Sequence, residues 1–243
     1  MLPRFYAPDL APDNGSVRLS PDESHHLSRV LRLVKGDLAT VFDGRGVEWR
    51  ARVESASRDG ARLSLLEPVQ SRMPAVAIGL AQAVLKHEAM DDVIRDCTMV
   101  GVAEIHPLVT SRTTVKTGAF KTAPERWRRV ALASAKQCGT ARLPEIAEVT
   151  RFDDWLQSPL PEHTYLLIEP GAEVEATTLR QLALMSPPAQ ATLLVGPEGG
   201  WTADERDAAI AAGARPLSLG PLTLRAATVA LTATAALVGI WDK

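Results

Sequence analysis

The strongest constraint on the fold is a series of short, almost wholly apolar segments that alternate with helix-start signals after residue 74. VAIGLAQAV (76–84) and ATLLVG (191–196) show no polar alternation, which is typical of strands buried on both faces of a parallel sheet. Capping boxes begin helices near Thr122 and Thr202, and a long apolar helix is predicted over 226–241. The pattern predicts an α/β fold with a mostly parallel sheet covered by helices on both faces.

The N-terminal segment has a different period. A capping box with proline at the first helical position predicts a helix from Pro21 to about Leu33. Three segments that alternate apolar and polar residues follow it, separated by Asp-Gly turns. We therefore predict two domains, a small antiparallel β-barrel with one helix over 1–72 and the α/β domain over 73–243.

Composition narrows the classes of function. The chain has 243 residues and a net charge of −2, with no run of 18 apolar residues and no signal-peptide pattern at its start, so a soluble cytoplasmic protein is expected. Two cysteines, Cys97 and Cys138, are too few for a disulfide framework. The adjacent His25 and His26 diverge in a helix and cannot converge on one ion. We expect no metal site.

Charge is unevenly distributed along the chain. Residues 112–151 carry 9 Lys or Arg against 3 Asp or Glu, whereas residues 152–243 carry 5 against 11. A basic segment beside an acidic half is typical of a polyanion-binding surface in a protein that is otherwise neutral. A solvated, arginine-rich helix face is the alternative explanation.

A glycine loop, LLVGPEGGWTADE (193–205), follows one of the apolar strands and opens a helix. Its glycines let a ligand approach the backbone, and the helix start presents free N–H groups. The loop is neither a Walker motif nor G-x-G-x-x-G, and Glu198 repels a polyphosphate, so we reject a nucleotide-phosphate enzyme. A cationic nucleoside such as S-adenosylmethionine fits better. A plain glycine turn between strand and helix is the alternative.

A second loop, Gly220–Arg225, follows the next strand and leads into the last helix. Ligands of open α/β sheets bind at the carboxyl ends of the strands, where both loops are expected. The apolar walls for an adenine ring are assigned to Leu194, Leu219, Pro221 and Leu224. The last helix is apolar nearly all round, so either a subunit interface or burial inside one chain must cover it.

These residues resemble a known family. VGPEGG followed by a helix, and LGPLTLR before a Thr/Ala-rich helix, are similar to the knotted SPOUT methyltransferases, and most of all to the RsmE family, which methylates N3 of a uridine in small-subunit ribosomal RNA. RFYAPDL, HHLSRVLRLVKGD and VFDGRG resemble its PUA-like N-terminal barrel. LKHEAMDDVIRDCTMVGV, PLVTSRTTVK, ERWRRVALASAKQCG and LPEI match its central segments in order.

The resemblance implies a trefoil knot over about 195–225, a homodimer packed through the C-terminal helix, and action on 16S ribosomal RNA in small ribosomal subunits. It implies an S-adenosylmethionine site formed by Leu194, Gly196, Glu198, Gly199, Gly200, Leu219, Gly220, Pro221, Leu224 and Arg225. It also implies RNA contacts by Arg4, Lys86, Arg112, Lys116, Arg126 and Gln137.

Arg225 is the candidate catalytic residue. A fixed cation beside the uridine oxygens would stabilise the negative charge that develops when N3 loses its proton. A salt bridge at the helix start is the alternative role. No side chain of the sequence is a convincing general base.

The chain also departs from the family pattern. Leu222 stands where family members commonly have arginine, Ala227 where they have glutamate, and the central motif is altered at Asp96 and Met99. These changes leave two alternatives open. One is an RNA-binding assembly factor of the same fold with weakened or lost methylation, and the other is methylation of a different RNA position.

Overall fold

The computed structural model describes residues 2–57, 60–71, 73–115, 120 and 122–242. Its contacts separate into two compact units, one of residues 1–73 with 132–143 and one of residues 74–131 with 144–243. The predicted domain boundary between residues 72 and 73 stays a prediction, and the contacts add 132–143 to the first unit.

The first unit is built on a sheet of β1 (Arg4–Tyr6), β2 (Ser16–Arg18), β3 (Leu38–Phe42), β4 (Glu48–Ser55) and β5 (Arg62–Pro68), with helix α1 (Pro21–His25). The strand order is β1-β3-β4-β5-β2, and every pair is antiparallel except β1 with β3. Strand β4 follows the predicted alternation, since Ala51 and Val53 are buried and Arg52 between them is exposed. Strand β3 does not, because it is buried from Ala39 to Phe42, and β5 has one buried residue, Leu63. Strands β1 and β2 have three residues each, too few to show a period, and were not predicted.

The helix predicted to reach Leu33 is shorter than expected. A single π-helical turn, His26–Val30, follows α1, and within it the Leu31 N–H donates to the His26 carbonyl oxygen at 3.0 Å. Arg32 has a φ of 54°, which a right-handed helix does not allow, so the helix cannot continue past it.

The second unit contains the parallel sheet. Its strands are β6 (Ala77–Ala83), β7 (Glu104–Val109), β8 (Glu145–Ile146), β9 (Thr150–Arg151), β10 (Thr164–Leu167), β11 (Thr177–Thr178), β12 (Gln190–Val195) and β13 (Arg215–Ser218). The helices are α2 (Glu88–Val100), α3 (Ala123–Cys138), which ends in the first unit, α4 (Phe152–Trp155), α5 (Leu179–Ala183), α6 (Ala203–Ala211) and α7 (Ala226–Trp241). Among the described residues the strand order is β11-β13-β10-β12-β6-β7-β8, with β9 also paired to β7.

All pairs of this sheet are parallel, and both of its faces are buried. Along β12, Leu193 and Val195 point into the cluster that includes α2 and α7, whereas Leu194 points into the opposite cluster with Phe152 and Ala209. The predicted parallel sheet with two covered faces is confirmed. Its double burial explains why β12 carries no polar alternation.

The C-terminal elements cross back over the sheet. Strand β13 lies outside β10, yet the helix that follows it, α7, packs against α2, α5, β6 and β12. This order and this return crossing agree with the trefoil-knotted sheet that the resemblance implies. Because the strands are parallel, the loops after β6, β10, β12 and β13 all emerge at one edge of the sheet.

The described residues contain no helix with the length and apolar character needed to cross a bilayer. Within the same residues, no three side chains of His, Cys, Asp or Glu are grouped so that they hold a metal ion. Cys97 is buried and Cys138 is half-buried, and both thiols are free. Burial raises the pKa of Cys97 to about 12, so this thiol is not a reactive one.

Candidate cofactor-binding site

A cavity of about 650 Å³ opens at the carboxyl edge of the sheet in the second unit. Its wall is formed by the loops after β6, β10, β12 and β13, together with the first turn of α7. Its volume lies within the range of about 300–1,000 Å³ that small-molecule sites occupy. The two loops singled out in the sequence, 196–201 and 220–225, meet on this wall.

Most of the predicted cofactor-binding residues line this cavity. They are Gly196, Glu198, Gly200, Leu219, Gly220, Leu224 and Arg225. Leu194, Gly199 and Pro221 are absent from its wall. Strand periodicity explains the first absence, since Leu194 points to the other face of the sheet and its neighbour Val195 contributes to the wall instead.

Two glycines of the first loop have little room for a side chain. Gly200 has a φ of 68°, and a Cβ at this position would lie 2.8 Å from Oε1 of Glu169. At Gly196 a Cβ would lie 3.1 Å from the Trp201 ring. The loop therefore presents bare main chain to the cavity, with an acidic side chain on one side of it and an aromatic ring on the other.

Trp201 was not predicted as a site residue, although it lines the cavity. Its indole N–H donates to the Leu167 carbonyl oxygen at 3.1 Å, and its ring packs against Phe152 with a centroid distance of 5.2 Å. These contacts connect the end of the glycine loop to the end of β10. A tryptophan directly after Gly-Gly was the available signal in the sequence.

The cavity wall is acidic. Asp92, Glu169 and Glu198 line it, and Arg225 is its one basic residue among those that the structure describes. The Oε1 atom of Glu198 accepts a hydrogen bond from the backbone N–H of Lys86 at 2.9 Å, which fixes this carboxylate beside the loop after β6. Such a wall attracts a cationic ligand and repels a polyphosphate.

Glu205 fastens the loop after β7 to the helix that follows the glycine loop. Its Oε2 completes the predicted capping box with Thr202, and its Oε1 accepts from the Ser111 N–H at 2.6 Å. Burial raises the pKa of Glu205, but the hydrogen bonds from Ser111 and Thr202 outweigh it, so the pKa lies below its ordinary value. The sequence predicted the cap but not this second contact.

Arg225 occupies the N-cap position of α7, with φ −66° and ψ 146°, and lines the cavity. Its side chain makes no capping hydrogen bond. In the described part of the chain, no ion pair or side-chain hydrogen bond of the Arg225 guanidinium is found. The alternative of a salt bridge at the helix start is therefore not supported by these residues.

The chain matches two family models. Residues 72–238 match an RNA methyltransferase domain, and residues 19–66 match an RNA methyltransferase PUA domain. The ribosomal RNA small subunit methyltransferase E of Synechocystis is 36% identical over 223 residues, which cover 90% of this chain and 72% of that protein. The corresponding protein of Mycobacterium bovis is 31% identical over 254 residues, which cover 100% of this chain and 95% of that protein. The chain belongs to the RsmE family.

Solved structures of similar proteins agree with this assignment. A methyltransferase of Legionella pneumophila, solved with bound S-adenosylmethionine, has a TM-score of 0.88 at 30% identity and covers 100% of this chain and 99% of its own. The RsmE protein of Neisseria gonorrhoeae, also bound to S-adenosylmethionine, has a TM-score of 0.89 at 27% identity, covering 99% and 98%.

The RNA contacts implied by the RsmE resemblance have different surroundings. Lys86 and Gln137 are exposed. Arg126 is half-exposed, and its Nη2 donates to Oδ1 of Asp91 at 2.7 Å. Lys116 lies outside the described residues. The exposed residues and Arg126 stay predictions, since nothing in the structure tests an RNA contact.

Arg4 does not have the exposure that an RNA contact requires. Its side chain is 7% exposed and forms an ion pair with Glu48, itself 5% exposed. The guanidinium also donates to the Thr140 carbonyl oxygen at 2.9 Å and lies 4.9 Å from the centroid of the Phe42 ring. Arg4 is therefore a structural residue of the first unit, and the predicted phosphate contact is not supported.

The departures from the RsmE pattern lie on the cavity wall and on α2. Leu222 lines the cavity and is 75% exposed, and Ala227 lines it in the first turn of α7. Asp96 is half-buried and Met99 is 39% exposed on α2, and neither lines the cavity.

We expect Glu205→Gln to destabilise the protein by about 1–3 kcal/mol at pH 7, because an amide cannot accept from both Ser111 and Thr202. The lowered pKa of Glu205 means that its carboxylate stabilises the fold above its unfolded pKa of about 4.3, and that this stabilisation is lost as the pH falls through the folded pKa. Urea unfolding between pH 7 and pH 3 measures both effects.

The matched control for this experiment is Asp204→Asn, which removes an exposed carboxylate from the same helix turn. This change should lower the free energy of unfolding by no more than about 1 kcal/mol. A difference between wild type and Glu205→Gln that stays constant from pH 7 to pH 3 would contradict the assignment.

Proposed function

We propose that this protein transfers a methyl group from S-adenosylmethionine to N3 of a uridine in the 16S ribosomal RNA of the small ribosomal subunit. The observation that carries the proposal is the glycine-walled, acidic cavity at the carboxyl edge of a parallel sheet, in a chain of the RsmE family. The bound S-adenosylmethionine of the relatives from Legionella and Neisseria supports the cofactor. The name shared by the curated relatives supports ribosomal RNA as the substrate.

The cavity fits a cationic adenosine derivative. Gly196, Gly200 and Gly220 bring main chain without side chains to the cavity, as close approach of an adenine edge requires, and Leu219 and Leu224 supply apolar walls. The carboxylates on the wall suit an ammonium and a sulfonium. A polyphosphate would find three like charges and one guanidinium.

When bound, the cofactor supplies a methyl group that is activated by the positive charge of its sulfonium, and the neutral thioether that remains after transfer is a good leaving group. The contribution of the chain is alignment and exclusion of water. Trp201 and Val195 provide apolar surface on the cavity wall, and the contacts of Glu198 and Trp201 fix the glycine loop before a ligand arrives. A loop that is already ordered loses little conformational entropy on binding.

Arg225 is the proposed catalytic residue. The N3 of uridine becomes nucleophilic as its proton leaves, and the negative charge then spreads to O2 and O4. The guanidinium of Arg225 lies at the cavity without an acidic partner among the described residues, so its charge is available to these oxygens. Because this charge develops only during the reaction, a cation that acts on it stabilises the transition state more than it stabilises the ground-state complex with bound cofactor.

The proposed activity is tested by incubating the protein with tritiated S-adenosylmethionine and purified small ribosomal subunits, and mapping the modified nucleoside by mass spectrometry. We expect 3-methyluridine in 16S ribosomal RNA. A nucleoside methylated at an atom other than N3 would refute the N3 assignment but would still support a methyltransferase activity. No methylation together with little or no binding of S-adenosylmethionine in calorimetry would favour an RNA-binding assembly factor, which Leu222 and Ala227 permit.

For Arg225→Ala we expect turnover to fall by about 10²- to 10³-fold, the range for loss of one group that stabilises a developing oxyanion. The Kd for S-adenosylmethionine should change by less than about 3-fold, because the guanidinium acts on the substrate. Arg225→Lys keeps the charge and should retain part of the rate. Normal turnover in Arg225→Ala, measured under single-turnover conditions, would rule out the catalytic role.

A homodimer through α7 is the second part of the proposal. One side of α7 is buried in its own chain by Ala230, Ala233 and Leu237. The other side exposes Thr228, Ala235 and Gly239, and its small residues allow close approach of a second helix. This apolar helix has no acidic or basic residue in its first or last turn, which suits burial against a second copy.

We expect Ala235→Arg to convert the dimer into a 26.1 kDa monomer. The exposed position tolerates the long side chain within one chain, whereas a buried, unpaired charge at a dimer interface is strongly unfavourable. Light scattering after gel filtration measures the mass, and Leu184→Arg, at a position that is 84% exposed on another helix end, is the control. A wild-type protein that elutes with the mass of one chain would contradict the dimer.

A further inference from the structure

The side chain of Arg112 is bound to the glycine loop. Its Nη1 donates to the carbonyl oxygen of Gly199 at 2.7 Å and to that of Trp201 at 3.2 Å. These two carbonyls flank Gly200, which lines the cavity with a φ of 68°. One guanidinium thus holds the main chain on both sides of a residue in the cofactor cavity wall.

The segment that carries Arg112 is itself anchored. The Ser111 N–H donates to Glu205 at 2.6 Å, and the Thr110 N–H donates to the Thr113 hydroxyl at 3.0 Å. Glu205 is 6% exposed, so the acceptor side of this anchor is buried. The Arg112 side chain therefore extends from a fixed turn rather than from a free surface loop.

The aliphatic stem of Arg112 packs closely on Gly199. A Cβ on Gly199 would lie 3.3 Å from both Cβ and Cδ of Arg112, and Gly199 does not have the left-handed backbone that by itself requires glycine. The arginine stem therefore leaves little room for a side chain at residue 199, which does not line the cavity. The stem packs on the loop while the guanidinium binds its carbonyls.

We propose that Arg112 is a positioning residue that holds the glycine loop in its cofactor-binding conformation, and that it is not an RNA contact. This inference rests on the proposed cofactor site. Of the five guanidinium N–H groups, those at Nη1 are directed to main-chain oxygens of the loop. A hydrogen bond from a charged donor is stronger than a neutral one, so its loss increases the number of loop conformations that the cofactor must order.

The test is the affinity for S-adenosylmethionine by titration calorimetry with no RNA present. The Arg112→Met variant keeps an apolar stem and removes the hydrogen-bond donors, and we expect its Kd for the cofactor to rise by about 5- to 20-fold. This range is below that for a buried charged donor, because solvent screens a partly exposed one. Arg112→Lys should recover part of this loss, since an ammonium can donate to one carbonyl. The thermal midpoint of the unliganded protein should change by less than about 3 °C.

Arg128→Met is the matched control. Arg128 also donates from Nη2 to a main-chain carbonyl, that of Ile146 at 2.9 Å, and it does not line the cavity. Its loss should leave the Kd for the cofactor unchanged. An equal rise in Kd for both variants would mean a general structural effect and would overturn the proposal.

A double-mutant cycle with Gly199→Ala makes the test specific. Gly199→Ala should weaken cofactor binding in the wild-type background, because the new methyl displaces the arginine stem. In the Arg112→Ala background, the factor by which Gly199→Ala raises the Kd for the cofactor should be at least 3-fold smaller, since the arginine stem is absent. Strictly additive effects would overturn the proposal.

The outcomes separate this inference from the proposed function. A wild-type protein that does not bind S-adenosylmethionine overturns both. Binding by wild type and by Arg112→Met with the same Kd overturns the inference alone. A loss of affinity for 16S ribosomal RNA at saturating cofactor, with an unchanged cofactor Kd, would assign Arg112 to RNA instead.

Discussion

The parallel alignment of β12 between β6 and β10 is the constraint on which the rest of the site depends. Parallel pairing brings the carboxyl ends of these strands to one edge, so the glycine loop after β12 emerges with a loop on each side of it. Burial on both faces then leaves no freedom to shift the register, because a shift by one residue would exchange Leu193 and Leu194 between two filled cores. The position of the cavity follows from the sheet before any side chain of the site is considered.

The glycine loop needs additional support because its composition gives it none. Glycine has the largest conformational freedom of any residue, and three of them in five positions would leave the loop disordered in the absence of other contacts. The chain supplies contacts from three directions: the backbone of Lys86, the guanidinium of Arg112, and the carbonyl of Leu167. Bare main chain for the ligand and a fixed shape are thereby obtained together.

Much of this organisation could be predicted from the sequence, and what could not be predicted has a physical reason. Periodicity and caps predicted the parallel sheet and α7, because each depends on neighbours in the chain. Leu194 was predicted to line the cavity but points to the other face of the sheet, because a fully apolar strand does not reveal which face a residue points to. The family resemblance implied RNA contacts by Arg4 and Arg112, although Arg4 is buried against Glu48 and the Arg112 guanidinium donates to main-chain oxygens. Such partners are 44 and 87 residues away in the chain, and no local pattern records them.

The two departures from the family pattern differ in what they can affect. Leu222 is 75% exposed at the cavity, so an arginine in its place would change neither a core nor a buried hydrogen bond. Ala227 lies on the wall in the first turn of α7, where a shorter side chain leaves space and removes a charge near Arg225. Both positions line the cavity, whereas the glycines of the first loop follow the family motif. In the proposed mechanism, the absence of an acidic residue at 227 leaves the Arg225 guanidinium without a competitor for the developing negative charge, so this departure is compatible with the proposed catalytic role.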